Sequence, residues 1–142
     1  MNQDFPANPG RDARPAGPGS KIFVYGSLKR GFNNHAFLRG QSFLGTARTA
    51  AGFRLFDLGD YPGMIAWPGD QAGVEGEVWV VDAACLARLD QLEGTAEGLY
   101  RRAAIALLAP FAGQAVETYF YLHSVEGRRD AGSIWIERKD RR

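Results

Sequence analysis

Seven short apolar runs, each closed off by Gly or Pro within a few residues, leave this chain little choice of architecture. From Lys21 onward they read KIFVY, SFLGTART, GFRLF, MIAW, VEGEVWVV, RRAAIALL and VETYFYL. Runs of this length, rich in Val, Ile, Phe and Tyr and bounded by turn residues, are strand signals. Their close spacing, without helices between most of them, predicts antiparallel pairing and a sheet that curls on itself. The expected fold is α+β, a small, mostly antiparallel β-barrel with flanking helices. Only Asp82 to Glu93 (DAACLARLDQLE) has the period of a long helix, with Asp82 as N-cap and Gly94 placed to end it. A shorter turn is expected from Asn34 to Arg39.

The chain's 142 residues suit a single domain, assigned to 21–142. Residues 1–20 hold four Pro and three Gly with Phe5 as their one aromatic, and are expected to form a flexible leader. The tail from Ser133, ending in ERKDRR, reads as a solvated end. A formal net charge of +1 gives no electrostatic case for nucleic acid or an anionic membrane. The single Cys85 cannot form an internal disulfide, no apolar run approaches a membrane span, and no secretory signal is apparent. A cytoplasmic setting is the expectation.

The helix carries an anomaly. At 100° per residue Cys85, Leu86, Leu89 and Leu92 form one apolar stripe, and Glu93 falls inside it, four residues after Leu89 and seven after Leu86. A carboxylate facing an apolar interior is costly without a partner. In the last turn it also meets the negative end of the helix dipole. Both effects predict a raised pKa. The alternatives are a side chain that swings to solvent or pairs with Arg101 or Arg102.

FVYGSLKRG, from Phe23 to Gly31, ends a buried strand on Tyr25 and Gly26 without a polar turn residue. Gly26 lets the backbone approach another group closely, and main-chain NH groups in such a turn can hold an anion or a carbonyl oxygen. Lys29 and Arg30 do not complete a phosphate-loop order, and no helix begins after them. Taken alone, YGSL reads first as an ordinary tight turn. Cys85 lies on the apolar stripe and reads as core. His35 and His123 lack metal-ligand spacing. Glu75 and Glu77 share a strand face opposite Val74 and Val78 and are expected to face solvent.

Four stretches together resemble the γ-glutamylcyclotransferase superfamily, most closely its γ-glutamylamine cyclotransferase branch. They are YGSLKRGFNNH (25–35), Tyr61-Pro62-Gly63 leading into MIAW, VEGEVWVVD (74–82) and LDQLEGTAEGLYRR (89–102). The resemblance runs from about residue 21 to 125 and carries nothing beyond Ser124. It implies a barrel with flanking helices, no metal or other cofactor, and a cavity for a small-molecule γ-glutamyl substrate. It also implies the reaction: cyclisation of an L-γ-glutamyl group to 5-oxoproline with release of an amine or amino acid. By the same resemblance Tyr25, Gly26, Ser27 and Leu28 form the substrate-holding loop, Glu93 is the catalytic acid/base, and Tyr100 lines the pocket. Ser27 stands where many relatives carry Thr, and a longer EGTAEGLY stretch leaves Glu97 as a rival carboxylate. The competing class is a noncatalytic barrel that binds a small acidic ligand or a partner protein, for which an acid of raised pKa has no use.

Overall fold

The computed structural model describes residues 19–32 and 34–136. The expected leader therefore lies outside them, apart from Gly19 and Ser20, as does the charged end of the tail. The strands are β1 (Ser20–Val24), β2 (Ser42–Arg48), β3 (Phe53–Asp57), β4 (Pro62–Ala66), β5 (Glu75–Val81), β6 (Tyr100–Ala104), β7 (Glu117–Tyr121) and β8 (Arg129–Gly132). One α-helix, α1 (Ala83–Leu92), follows β5, and a short 3-10 turn spans His35–Leu38. No helix among the described residues is long and apolar enough to cross a membrane.

β1 sits at the centre of a five-stranded sheet ordered β2-β5-β1-β7-β6, and β4-β3-β8 form a second sheet. Alternation along β1 divides the interior in two. Ile22 and Val24 join Leu38, Val81, Cys85 and Leu89 beneath α1, while Phe23 and Tyr25 join Leu55, Met64, Val78 and Trp135. Burial on both faces explains the unbroken apolar run IFVY, since a strand with one wet face would alternate.

The structure departs from the sequence expectations in three ways. Neither sheet closes into a barrel: the edge strands β2 and β6 share no ladder, and beyond their ends a single antiparallel bridge joins Thr49 to Leu107. The cause lies in RRAAIALL, expected as one strand. It pairs with β7 through Ala104, and Ile105 N–H still donates to Val116 O, but Leu108 N–H donates to Arg48 O and Ala106 O accepts from Ala50 N–H. One segment thus divides its hydrogen bonds between two neighbours. Second, β1 runs parallel to β7 at the pair Ile22 and Glu117, because strands so distant in sequence are free of the hairpin constraint.

Third, the tail from Ser133, expected as a solvated end, begins inside the fold, its charged end lying outside the described residues. β8 pairs with β3, held by Arg129 on Asp57 (2.8 Å) and Arg54 on Asp130 (2.7 Å). Beyond it the Trp135 side chain is 1% exposed. Trp135 therefore closes the core, while Ile134 and Ile136 on either side of it stay exposed.

Candidate active site

Helix α1 ends with defined geometry. Asp82 accepts a hydrogen bond from Cys85 N–H (2.7 Å) at its start. At its end Gly94, at φ +68°, donates its N–H to Gln91 O, and Thr95 N–H donates to Asp90 O. This paired closure needs a left-handed residue after the C-cap, which glycine supplies without strain. Glu93 is therefore fixed as the C-cap of the helix, its own N–H donating to Leu89 O (2.9 Å). Asp90, one turn earlier, accepts from Tyr119 OH (2.6 Å) and from Arg102 Nε (2.9 Å), tying α1 to β7 and β6. Burial opposes the Asp90 charge, but the hydrogen bonds from Arg102 and Tyr119 outweigh it and hold the carboxyl below its usual range.

On the facing side, β1 runs into the loop Tyr25–Arg30. Lys29 N–H donates to Gly26 O (3.1 Å) and Asn34 N–H to Ser27 O (2.7 Å), while Asn34 Nδ2 reaches Ser27 Oγ (2.8 Å). The N–H groups of Gly26, Ser27 and Leu28 meet no acceptor among the described residues. Gly26 is required by a protein neighbour: a Cβ there would stand 2.7 Å from the Pro62 ring. Tyr25 OH donates to Tyr119 O (2.6 Å) and accepts from Met64 N–H (3.3 Å), and Tyr100 OH donates to Pro62 O (2.7 Å). Both phenols are thus committed to the framework, and burial raises the pKa of each.

Between helix end and loop lies a cavity of about 390 Å³. It brings together all six residues singled out in the sequence: Tyr25, Gly26, Ser27, Leu28, Glu93 and Tyr100. Exposed Tyr61 and Asp60, with half-buried Leu92, Leu99 and Asn34, mark its mouth. Glu93 keeps partial exposure through the cavity, and burial among these walls pushes its carboxyl up to about 7. No hydrogen bond or ion pair reaches that carboxyl among the described residues, and no Lys, Arg or His lines the cavity. Arg102, one of the cations that could have paired with it, is instead occupied by Asp90 and Glu117.

Glu97 is exposed outside the cavity. Cys85 is fully buried beneath α1, and burial pushes its thiol up. His35 donates from Nδ1 to Leu28 O, and His123 is exposed. No group of three or more His, Cys, Asp or Glu among the described residues could hold a metal ion. Of the pair expected in solvent, Glu75 keeps partial exposure but Glu77 is buried. The sequence reading missed Asn34, Asp60, Leu92, Leu99 and Tyr119 as cavity walls. Tyr61 and Pro62 were visible only as a turn, and Tyr119 shares its strand with two other aromatics that nothing local distinguishes from it.

Residues 22–140 match the family described as Gamma-glutamyl cyclotransferase, AIG2-like. The chain belongs to this family. The match extends well past Ser124, where the resemblance carried by motifs had stopped. Over 120 residues the chain is 35% identical to the gamma-glutamylcyclotransferase family protein YtfP of Escherichia coli, covering 83% of this chain and 97% of that one. The solution structure of YtfP superposes with a TM-score of 0.61 at 33% identity, over 85% of this chain and 99% of YtfP. An AIG2-like protein of Mus musculus superposes with a TM-score of 0.62 at 30% identity, covering 76% and 79%. Membership supports a gamma-glutamylcyclotransferase-like function and a small-molecule γ-glutamyl substrate.

Proposed function

We propose that this protein cyclises an L-γ-glutamyl group to 5-oxoproline, with Glu93 as the general acid/base. The observation that carries the reading is an unpaired carboxyl in the cavity wall, raised by burial to about 7. A group titrating near the working pH can both take and return a proton. In the reaction the Glu93 carboxylate accepts a proton from the substrate's α-ammonium, and the freed amine attacks its own γ-carbonyl carbon to form the lactam C–N bond. Glu93 returns that proton to the departing nitrogen as the amide C–N bond breaks, and the second proton lost by the attacking nitrogen passes through solvent to the released amine.

The loop performs the holding. Free N–H groups at Gly26, Ser27 and Leu28 and the Ser27 hydroxyl suit the substrate's α-carboxylate, while Glu93, the cavity carboxyl set back from Asp60 at the mouth, suits the α-ammonium. Tyr25 and Tyr100 act as rigid walls, their hydroxyls already bonded to backbone. Holding nucleophile and electrophile of one molecule in a folded conformer supplies much of the rate. No step calls on a further cofactor.

The test is incubation with a panel of γ-glutamyl amines, γ-glutamyl amino acids and amide-free glutamate, with detection of 5-oxoproline. Product from at least one amide is expected. Binding of γ-glutamyl compounds without product from any of them would favour the noncatalytic reading.

A further inference from the structure

Glu77 is a buried carboxylate that the chemistry above does not use. It lies mid-strand in β5, is 7% exposed, and forms no part of the cavity wall. Three donors converge on it: Arg30 backbone N–H and Trp79 Nε1 reach Oε1, each at 3.1 Å, and Arg30 Nε reaches Oε2 at 3.3 Å. Burying a charge is expensive, and an apolar side chain of similar volume would fill the space at lower cost. What the carboxylate provides instead is an anchor for Arg30, the last residue of the loop that begins at Tyr25.

A second contact from the same strand face reaches the same loop. The Trp79 ring meets His35 edge-on at 5.4 Å, and His35 donates to Leu28 O (3.1 Å). The Arg30 guanidinium adds little: its side chain is 51% exposed and lies over the Phe43 ring, and a half-exposed ion pair contributes weakly. The bond that matters is the one to the backbone N–H of Arg30.

We propose that Glu77 is a positioning residue for the substrate-holding loop, fixing through the Arg30 N–H the direction of the free N–H groups of Gly26, Ser27 and Leu28. This rests on the functional reading above, and it assigns part of substrate binding to a residue that touches no substrate. Because the loop grips the substrate alike before and during the reaction, losing the anchor weakens binding without altering the chemical step.

The experiment compares wild type with Glu77→Ala, Glu77→Gln and Arg30→Ala, using the γ-glutamyl compound that yields most 5-oxoproline. Glu77→Ala should raise KM by about tenfold with kcat nearly unchanged, the loss of one hydrogen bond to a charged acceptor. Glu77→Gln keeps an acceptor oxygen for both neutral donors and should restore KM to near the wild-type value. Arg30→Ala keeps the backbone N–H and should do the same. If Glu77→Ala does not fold, Glu77→Asp, one methylene shorter, should show the raised KM. An unchanged KM in the variant that removes the contact, or equal impairment in Arg30→Ala, overturns the proposal. If wild type forms no 5-oxoproline, the functional reading fails on its own. Amide hydrogen exchange then decides the anchor: selective acceleration in Glu77→Ala at the loop's hydrogen-bonded amides of Lys29 and Asn34 upholds it, and unchanged exchange there overturns it.

Discussion

Glu93 and Gly26 show how single residues are constrained from opposite sides of one cavity. Burial holds the native Glu93 carboxyl near 7, against an ordinary value of 4.5. The folded state therefore binds an extra proton between those pH values. Stability from this group is fully present below about 4.5 and is lost as pH rises through 7, with an upper limit of about 3 kcal/mol that residual solvent contact reduces. Thermal melting should show wild type losing stability relative to Glu93→Gln between pH 4.5 and 8, whereas an ordinary carboxyl would leave the two curves parallel across that range. At Gly26 a methyl group would press on the Pro62 ring, whose carbonyl holds Tyr100. Gly26→Ala should cost about 1–3 kcal/mol by denaturant unfolding, the range for overpacking; an unchanged midpoint would show that β4 yields without strain. Helix periodicity exposed Glu93 because α1 has one dry face. Strand periodicity misplaced Glu77 because both faces of β5 are covered, Val78 by the core and Glu77 and Trp79 by the loop and the 3-10 turn.

Most elements were legible because their ends carry local chemistry. Asp82 and Gly94 delimit α1 in the sequence as they do in the fold, through an N-cap bond and a left-handed closure. The end of β6 and the whole of β8 were not legible for the converse reason. RRAAIALL continues its apolar pattern while its hydrogen bonds change partner at Ala106, and RDAG has no strand period at all, being held by ion pairs. How α1 is docked was equally invisible, since Asp90 meets Tyr119 and Arg102 only after folding. Asp90→Asn weakens two of those contacts. It should cost about 1–2 kcal/mol, the scale of hydrogen bonds to a partly exposed charged group, read as a lower unfolding midpoint. It should also lower turnover by letting the helix end that carries Glu93 move. Loss of stability with full turnover would show that the helix position is set elsewhere.

At the scale of the whole molecule, the central strand β1 joins two cores, and the cavity opens where it ends. Both neighbours of that opening are fixed from a distance, α1 by β6 and β7, the loop by β4 and β5. The chain's last described turn completes the second core with Trp135, whose backbone carbonyl also accepts from Lys29 Nζ (3.1 Å) at the loop. Trp135→Ala should cost about 3–5 kcal/mol, as for a large core residue, measured by chemical denaturation. A value near zero would restore the solvated-end reading. The measurement that tests the account most directly is the pH dependence of kcat/KM for 5-oxoproline formation by wild type and Glu93→Gln. Wild type should gain activity through an inflection near pH 7, as the Glu93 carboxyl ionises. Glu93→Gln should lose that inflection and about 10² to 10⁴-fold in kcat with a much smaller change in KM, while Glu97→Gln should match wild type. A Glu93→Gln protein that keeps most of its turnover, or a loss that appears in Glu97→Gln instead, would contradict the assignment of Glu93 as the proton-transfer residue.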